Sequence, residues 1–231
     1  MKHCVVWSGG LDSTFILCDL VKNGYDVSVL IFNSINFGKE KLKYEERARL
    51  NIEKYLGKKI PSQYINLEFN GFNVFGKGPG LFQQPFMISN ISLMGENDTV
   101  YYMGYHKGDD FFSSSYEIMK VSENILKVCG NKNIKFDFPL KYWTKEHIVN
   151  ACNELGITSL CHFCEYPEND TTLNGMCGKC TPCQTFKDAL DLSDIHKRNG
   201  TYKAAIPNYS YLEELEIVKN VSVEKDNEKL L

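Results

Sequence analysis

A short glycine turn near the N-terminus has the residue types and spacing of an anion-binding loop. It is the run Ser8-Gly9-Gly10-Leu11-Asp12-Ser13, and it separates the partly β-branched segment 4–7 from a mostly apolar segment that extends from 11 to 21. This order predicts a strand, a tight loop and a buried helix. Two adjacent glycines let the backbone come close to a ligand, and the N–H groups and dipole of a helix start favour an anion. We therefore expect a phosphate group here, in a loop that lacks the lysine of the Gly-x-x-x-x-Gly-Lys-Ser/Thr motif.

A second group of reactive residues lies in the C-terminal third of the chain. It consists of Cys161-x-x-Cys164 and, further on, Cys177-x-x-Cys180-x-x-Cys183. This spacing lets thiolates converge on one tetrahedral ion at about 2.3 Å, and four of them satisfy Zn²⁺ without leaving a position for water. The spacing predicts a structural zinc site, with reduced core thiols or an iron–sulfur cluster as the alternatives.

The segments between these motifs alternate between strand and helix patterns. Such alternation predicts a doubly wound, mainly parallel five-stranded α/β sheet with helices on both faces. We expect strands at 4–7, 26–33, 64–69, 99–103 and 134–138. We expect helices at 11–21, 40–56, from after Pro85 to 94, 114–129, 144–155 with Thr144 as its cap, and from Thr181 to about Leu190. We divide the chain into a nucleotide-binding domain, 1–158, and a cysteine-rich zinc module with a helical tail, 159–231, packed on it.

The ends of the predicted strands indicate where a ligand would lie, because α/β sheets bind ligands outside the carboxyl ends of their strands. Phe32 and Asn33 end the second strand, where we expect adenine. The polar run 105–110 ends the fourth strand beside the glycine turn. The glycine-rich segment 71–80 is a candidate active-site lid, and the charged residues from 217 onward are expected to form a loosely held tail.

Composition indicates a globular protein and weighs against some classes of partner. Among the 231 residues, 43% are hydrophobic and 24% are charged, and the net charge is −3. A protein that grips a nucleic-acid backbone usually has a basic excess, so we do not expect nucleic acid to be the main partner. No apolar run has the length of a membrane span, and no signal-peptide pattern precedes the first strand, so we expect a cytoplasmic protein without a membrane partner.

The cysteine count supports metal binding in a reducing compartment. Nine cysteines are an odd number, and five of them are clustered. Neither feature suits a secreted disulfide framework. The remaining four lie in apolar runs and are expected in the core: Cys4, Cys18, Cys129 and Cys152.

The glycine turn resembles the pyrophosphate-binding loop of the ATP pyrophosphatase superfamily, whose enzymes split ATP between its α and β phosphates and transfer AMP to an oxygen. The resemblance implies that residues 8–14 bind ATP: Ser8, Gly9, Gly10, Leu11, Asp12, Ser13 and Thr14. Preplaced donors would stabilise the departing pyrophosphate. A carboxylate such as that of Asp12 suits Mg²⁺, which combines one or two carboxylates with phosphate oxygens.

Both motifs together, in this order, resemble the 7-cyano-7-deazaguanine synthase family of queuosine-type biosynthesis over about residues 4–192. Gly104 to Asp109 is similar to the family's Gly-x-Asn-x-x-Asp, with His106 in place of the asparagine. Pro139-Leu140 and the run 144–148 are similar to its Pro-Leu and Ser/Thr-Lys segments. The run 177–183 matches its zinc motif, which implies the ligands Cys164, Cys177, Cys180 and Cys183, with Cys161 as the alternative to Cys164.

The resemblance implies an ATP-dependent carbon–nitrogen ligase. The carboxylate of 7-carboxy-7-deazaguanine would be adenylated, ammonia would displace AMP to give an amide, and a second activation would give the nitrile. Asp12, Ser13 and Lys145 would be catalytic, with Lys145 neutralising phosphate or adenylate charge. His106 and Asp109 would contact the substrate, although both are also consistent with an ordinary surface loop. A homodimer is implied by the resemblance alone.

Two departures from the family pattern lie near the expected ligands. The Val-Pro-Gly-Arg-Asn segment is replaced by the run 83–90, in which Asn90 is the only counterpart, and the second strand ends in the run 33–37 instead of Asp-Tyr-Gly-Gln. Several outcomes therefore stay open: an enzyme that stops at the amide, one that joins the acyl group to another amine including a protein amine, a tRNA-thiolating ATP pyrophosphatase, or a non-catalytic zinc-module protein that binds a partner.

Overall fold

Strands and helices alternate along the chain from the N-terminus. The structure is a computed structural model that describes residues 1–34, 39–67, 83–109, 111–130, 132–167 and 176–198. Its elements are β1 (Lys2–Val6), α1 (Leu11–Lys22), β2 (Val27–Ser34), α2 (Lys39–Leu56), β3 (Ser62–Leu67), α3 (Gln83–Met94), β4 (Thr99–Tyr102), α4 (Phe111–Val128), β5 (Ile134–Asp137), α5 (Lys145–Glu154), a 3₁₀ turn (Thr158–Leu160) and α6 (Thr181–Arg198). The predicted lid at 71–80 and the tail from 217 lie outside the described residues.

The strands form a single five-stranded sheet in the order β3-β2-β1-β4-β5, with every neighbouring pair parallel. This confirms the predicted sheet. The chain adds β2 and β3 on one side of β1 and then crosses to the other side for β4 and β5. The carboxyl ends of β1 and β4 therefore flank the topological switch point, where open α/β sheets bind ligands.

Helices cover both faces of the sheet. Alternate residues of a strand point to opposite faces, so a buried strand contributes side chains to the core on each side. Val5 of β1 belongs to a large core cluster with residues of α1 and α5, whereas Cys4 packs in a second cluster with Ile91 of α3. Eight of the twelve residues of α1 are buried, which confirms the predicted buried helix after the glycine turn. No helix within the described ranges has both the length and the apolar character needed to cross a bilayer.

Three details of the sequence prediction are corrected by the structure. Helix α3 begins at Gln83 and includes Pro85 in its first turn, where the missing proline N–H has no helical partner to lose. Helix α6 continues past Leu190 to Arg198. Cys4, Cys18 and Cys152 are buried as predicted, but Cys129 is only half-buried because it follows the exposed end of α4.

Candidate active site and metal centre

The glycine turn presents the uncapped N-terminus of α1 at the end of β1. Gly9 has φ +93°, and a Cβ there would lie 3.0 Å from the backbone oxygen of Glu45, so both conformation and space favour glycine. Gly10 is the N-cap of α1 and supplies no side-chain cap. The first N–H groups of the helix are thus left for an anion.

Two hydroxyl groups add donors to this loop. The oxygens of Ser8 and Ser13 lie 3.3 Å apart, and the N–H of Gly10 donates to Ser8 Oγ at 3.2 Å. The side chains of Leu11 and Thr14 are engaged by the scaffold. Leu11 is in the core, and the Thr14 hydroxyl accepts from the indole N–H of Trp7 at 2.9 Å. These two residues can meet a ligand only through their main chain.

The end of β4 approaches the start of α1 very closely at Gly104. A Cβ on Gly104 would lie 2.9 Å from the backbone nitrogen of Ser13 and 3.1 Å from Cβ of Asp12. Real Cβ atoms essentially never come within 3.0 Å of a non-bonded atom of another residue. Glycine at 104 therefore lets the two segments meet and sets the width of the switch point.

A cavity of about 200 Å³ opens at this point of the sheet. The glycine turn lines one side of it, and apolar side chains of β1, β2, α3 and the segment after β4 line the rest. The lining residues are Val6, Trp7, Ser8, Asp12, Ser13, Phe32, Met87, Met103, Gly104 and Tyr105. Apolar walls with a few polar groups are typical of small-molecule sites.

Of the predicted site residues, only Ser8, Asp12, Ser13 and Phe32 belong to this lining, and two of those outside it have amides that bond elsewhere. The side-chain amide of Asn33 donates to Oδ1 of Asn66 across the neighbouring strand at 3.1 Å. That of Asn90 donates to the carbonyl of Phe86 in its own helix at 2.8 Å. Both amides are therefore bonded within the scaffold.

Lys145 and Asp12 form an ion pair beside the cavity. The ammonium nitrogen lies 2.7 Å from each carboxylate oxygen. Lys145 is the first residue of α5, whose N-cap is Thr144 as predicted, and His147 completes a capping box there. Two helix starts that are far apart in sequence are thus joined at the site.

His106 and Asp109 form a second polar pair next to the first. The backbone N–H of His106 donates to Oδ2 of Asp109 at 2.7 Å, and its Nε2 lies 3.4 Å from Oδ1. Its Nδ1 donates to the carbonyl of Lys107 at 2.9 Å, because a carbonyl oxygen only accepts. Burial raises the pKa of Asp109, while His106 opposes that increase. Smaller effects of Asp12 and Lys145 on the same pKa show that the two pairs are neighbours.

Four of the five clustered cysteines converge on one point. The sulfurs of Cys164, Cys177, Cys180 and Cys183 all lie within 4.8 Å of one another. Backbone N–H groups of Lys179 and Cys180 donate to the Cys177 sulfur at 3.4 and 3.3 Å, and they contribute to a lowered Cys177 pKa of about 7. The arrangement is that of a metal-binding group.

The fifth cysteine, Cys161, lies apart from this group. Its thiol donates to the carbonyl of Ile157 at 3.4 Å, and burial raises its pKa to about 12. The geometry thus brings Cys164, and not Cys161, to the other three sulfurs.

The chain between Cys161 and Cys164 touches the glycine turn directly. The N–H of His162 donates to the carbonyl of Gly9 at 2.9 Å, and its ring stacks on Tyr44 of α2 with the ring centres 5.1 Å apart. The cysteine group and the glycine turn are therefore joined through the backbone of only two residues, His162 and the one after it. The sequence gives no periodic signal for this contact, since the segment is irregular.

Arg49 is another supporting residue that the sequence analysis missed. Its guanidinium is buried and donates to the carbonyl of Ser8 at 3.1 Å. It lies one turn from Glu45 and three residues before the buried Ile52, so it occupies the buried stripe of α2. A charged residue in such a stripe is a signal that could have identified it.

The sheet order, the glycine turn at the switch point and the flanking helices define an α/β protein of the adenine nucleotide alpha hydrolase-like fold. The U34-tRNA thiolase of Methanococcus maripaludis, solved with its [4Fe-4S] cluster, shares this fold with a TM-score of 0.50 and 15% identity, covering 94% of this chain and 72% of the thiolase.

Sequence comparison gives more particular relatives. The chain is 27% identical to a 7-cyano-7-deazaguanine synthase of Pseudoalteromonas atlantica, over 82% of this chain and 94% of the relative. It is 26% identical to the protein of that name from Leptospira interrogans, over 85% of this chain and 89% of the relative. No family model matches the chain.

Proposed function

We propose that this chain is an ATP-dependent ligase that activates the carboxylate of a 7-deazaguanine acid and transfers the acyl group to an amine. The observation that carries the proposal is the uncapped start of α1, which lies beside the Ser8 and Ser13 hydroxyls at the edge of a cavity. The names of the curated relatives support the substrate class, and their alignments span 82% and 85% of this chain.

The reaction follows from the charges of its groups. A carboxylate repels nucleophiles and would have to expel an oxide ion. Its attack on the α phosphate of ATP forms an acyl phosphate bond and releases pyrophosphate, and an amine then displaces AMP to give an amide. Each step has a stabilised leaving group, so no side chain needs to form a covalent intermediate.

Residues of the chain have separate roles in this scheme. The α1 N-terminus, Ser8 and Ser13 would bind the departing pyrophosphate, with donors that are in place before the charge develops. Asp12 suits a magnesium ion, which would neutralise phosphate charge when bound. Lys145 would supply a further positive charge, and Asp109, held by His106, would accept hydrogen bonds from the guanine-like edge.

The cysteine group suits a single zinc ion. Four sulfurs placed about 2.3 Å from one tetrahedral ion lie about 3.8 Å apart. The observed sulfurs, within 4.8 Å of one another, are near that spacing. A [4Fe–4S] cluster binds each thiolate to a different iron, so it holds the four sulfurs further apart than a single ion does. The zinc would be structural, since four cysteines leave no position for water.

The fifth cysteine favours ligase chemistry over thiolation. A thiolating enzyme that uses a cysteine nucleophile needs a reactive thiolate, and thiolates form readily only where the pKa is low. Burial raises the pKa of Cys161 to about 12.

The domain division at 158, the homodimer and the cytoplasmic location stay predictions.

Product analysis tests the proposal. The protein is incubated with ATP, Mg²⁺, ammonium and 7-carboxy-7-deazaguanine, and AMP and product masses are measured. We expect AMP together with the mass of the amide, the nitrile or, if a protein amine is the acceptor, a modified chain. Ser13→Ala should lower the rate by about 10²-fold because one donor to the departing charge is lost. The control is Asp26→Asn, which changes an exposed residue just before β2, at the amino ends of the strands and away from the site. Absence of AMP above background with every acceptor would refute the proposal.

A further inference from the structure

The ion pair at the candidate site occupies the carboxylate that a magnesium ion would need. Lys145 Nζ lies 2.7 Å from both oxygens of Asp12, so the ammonium sits on the bisector of the carboxylate. The side chains of Lys145 and Asp12 keep 14% and 24% of their surface exposed, so the pair is partly accessible and not in the core, and Asp12 lines the cavity.

The position of Lys145 in its own helix is electrostatically unfavourable. It is the first residue of α5, and the positive end of a helix dipole disfavours a cation there. Asp12, by contrast, lies in the first turn of α1, where the dipole favours a carboxylate. Asp12 is therefore the partner that holds the ammonium in place, and the helix start itself does not.

Within the described residues, the carboxylate next to this pair is engaged elsewhere. The neighbouring carboxyl, Asp109, accepts from the backbone N–H of His106 and faces its imidazole. A divalent cation that binds Asp12 would lie next to the Lys145 ammonium, and the two positive charges would repel each other strongly at that distance. Asp12 can therefore satisfy either cation well, but not both.

We propose that Lys145 holds the cation position of Asp12 in the nucleotide-free protein and exchanges with magnesium when the metal–nucleotide complex binds. The released ammonium stays at the start of α5, beside the cavity, and pairs with a phosphate oxygen of the nucleotide. Charge balances in this exchange, because the carboxylate passes from ammonium to metal while the ammonium passes from carboxylate to phosphate. Lys145 thus keeps the metal site closed until nucleotide arrives and then contacts the nucleotide itself. This inference rests on the proposed function.

Metal binding without nucleotide tests the exchange directly. Mn²⁺, a spectroscopic substitute for Mg²⁺, is titrated into the protein and followed by electron paramagnetic resonance. Lys145→Met should bind Mn²⁺ alone about 10- to 100-fold more tightly than the wild type, because the repulsion between the ammonium and the metal ion is gone. The same variant should bind the Mn²⁺–ATP complex more weakly, because the phosphate loses its ammonium partner. Opposite shifts in the two affinities would not arise from a merely structural ion pair.

Controls separate this outcome from trivial ones. Lys127→Met removes an exposed lysine of α4 and should change neither affinity. Lys145→Gln gives a second test with a polar side chain, and the fluorescence of Trp7 and Trp143, which directly precede the loop and the N-cap of α5, reports that the site is folded. Asp12→Asn should abolish binding of Mn²⁺ alone in both backgrounds.

Two results would overturn the exchange. They are equal affinity of the wild type and both Lys145 variants for Mn²⁺ alone, and absence of Mn²⁺ binding by all of them. The proposed function fails by a different result, which is absence of metal–nucleotide binding and of AMP release by the wild type. The metal-alone comparison does not depend on turnover, so the two failures are distinguishable.

Discussion

Replacing Gly104 by alanine tests whether the close contact between β4 and α1 builds the anion site. The new methyl carbon would lie 2.9 Å from the backbone nitrogen of Ser13, whereas ordinary contacts begin at 3.4 Å. The segments must therefore separate by about 0.5 Å, and the atoms concerned are main-chain atoms that cannot rotate away. Overpacking of this kind costs about 1–3 kcal/mol. In a protein of this size that lowers the melting temperature by about 2–12 °C.

The same displacement should weaken nucleotide binding, because it moves the first N–H groups of α1 away from the phosphate position. Loss of one hydrogen bond to a charged group is about 1.5–3 kcal/mol, or about 10- to 100-fold in Kd. Thermal unfolding followed by tryptophan fluorescence and calorimetry with magnesium–ATP measure the two effects.

Gly130→Ala is the matched control for this substitution. Gly130 has φ +86°, and no atom lies within 4 Å of the position that a methyl carbon would take, so alanine there is strained but meets no neighbour. That strain costs about 1–2 kcal/mol, which is similar to the expected cost at Gly104. Gly130 precedes β5 and so lies near the amino ends of the strands, whereas the site lies at their carboxyl ends. Gly130→Ala should thus lower the melting temperature without changing nucleotide affinity, and a Gly104→Ala protein with wild-type stability and affinity would refute the reasoning.

Two further predictions concern the metal centre and the second polar pair. Chelation, or Cys164→Ser, should release bound zinc and raise the Kd for magnesium–ATP, because the N–H of His162 bonds to the glycine turn only two residues before Cys164. The control, Cys161→Ser, should keep the zinc. Metal analysis measures the zinc, and calorimetry measures the Kd. His106→Asn should raise the pKa of Asp109 further, since burial raises it already and His106 opposes that increase. A raised carboxyl pKa in the folded state costs stability as the pH rises through it. Urea unfolding should therefore show the stability difference between variant and wild type widening from the pH at which Asp109 is protonated in both proteins toward neutral pH; a difference that does not change with pH would contradict this.

The sequence was sufficient for the sheet and for the glycine turn, because both depend on local patterns. Apolar runs of strand length alternated with amphipathic helices, and this predicted a parallel sheet with helices on both faces. The turn after β1 was recognisable from the run of residues 8–13 between a strand pattern and a helix pattern. The choice of Cys164 over Cys161 needed the family resemblance, since spacing treated the two equally, and the distances between sulfurs agree with it.

Contacts between distant segments were beyond the reach of the sequence. The ion pair of Lys145 and Asp12 joins residues 133 positions apart, and no local pattern specifies which helix starts will meet. The scaffold bonds of Asn33 and Asn90 were equally hidden, because an amide in a strand or helix has the same sequence signature whether it faces a ligand or a neighbouring backbone group. The buried Arg49 looked like one more charge in a mixed helix until its partner, the Ser8 carbonyl, was known.

The bond from His162 to Gly9 joins two main-chain atoms, and this has an evolutionary consequence. Substitution at position 162 changes the stacking on Tyr44 but leaves the N–H donor in place for every residue type except proline. Insertion or deletion between Cys161 and Cys164 would instead shift the donor out of register with the turn. Homologous chains should therefore conserve the number of residues between this donor and the position of Cys164.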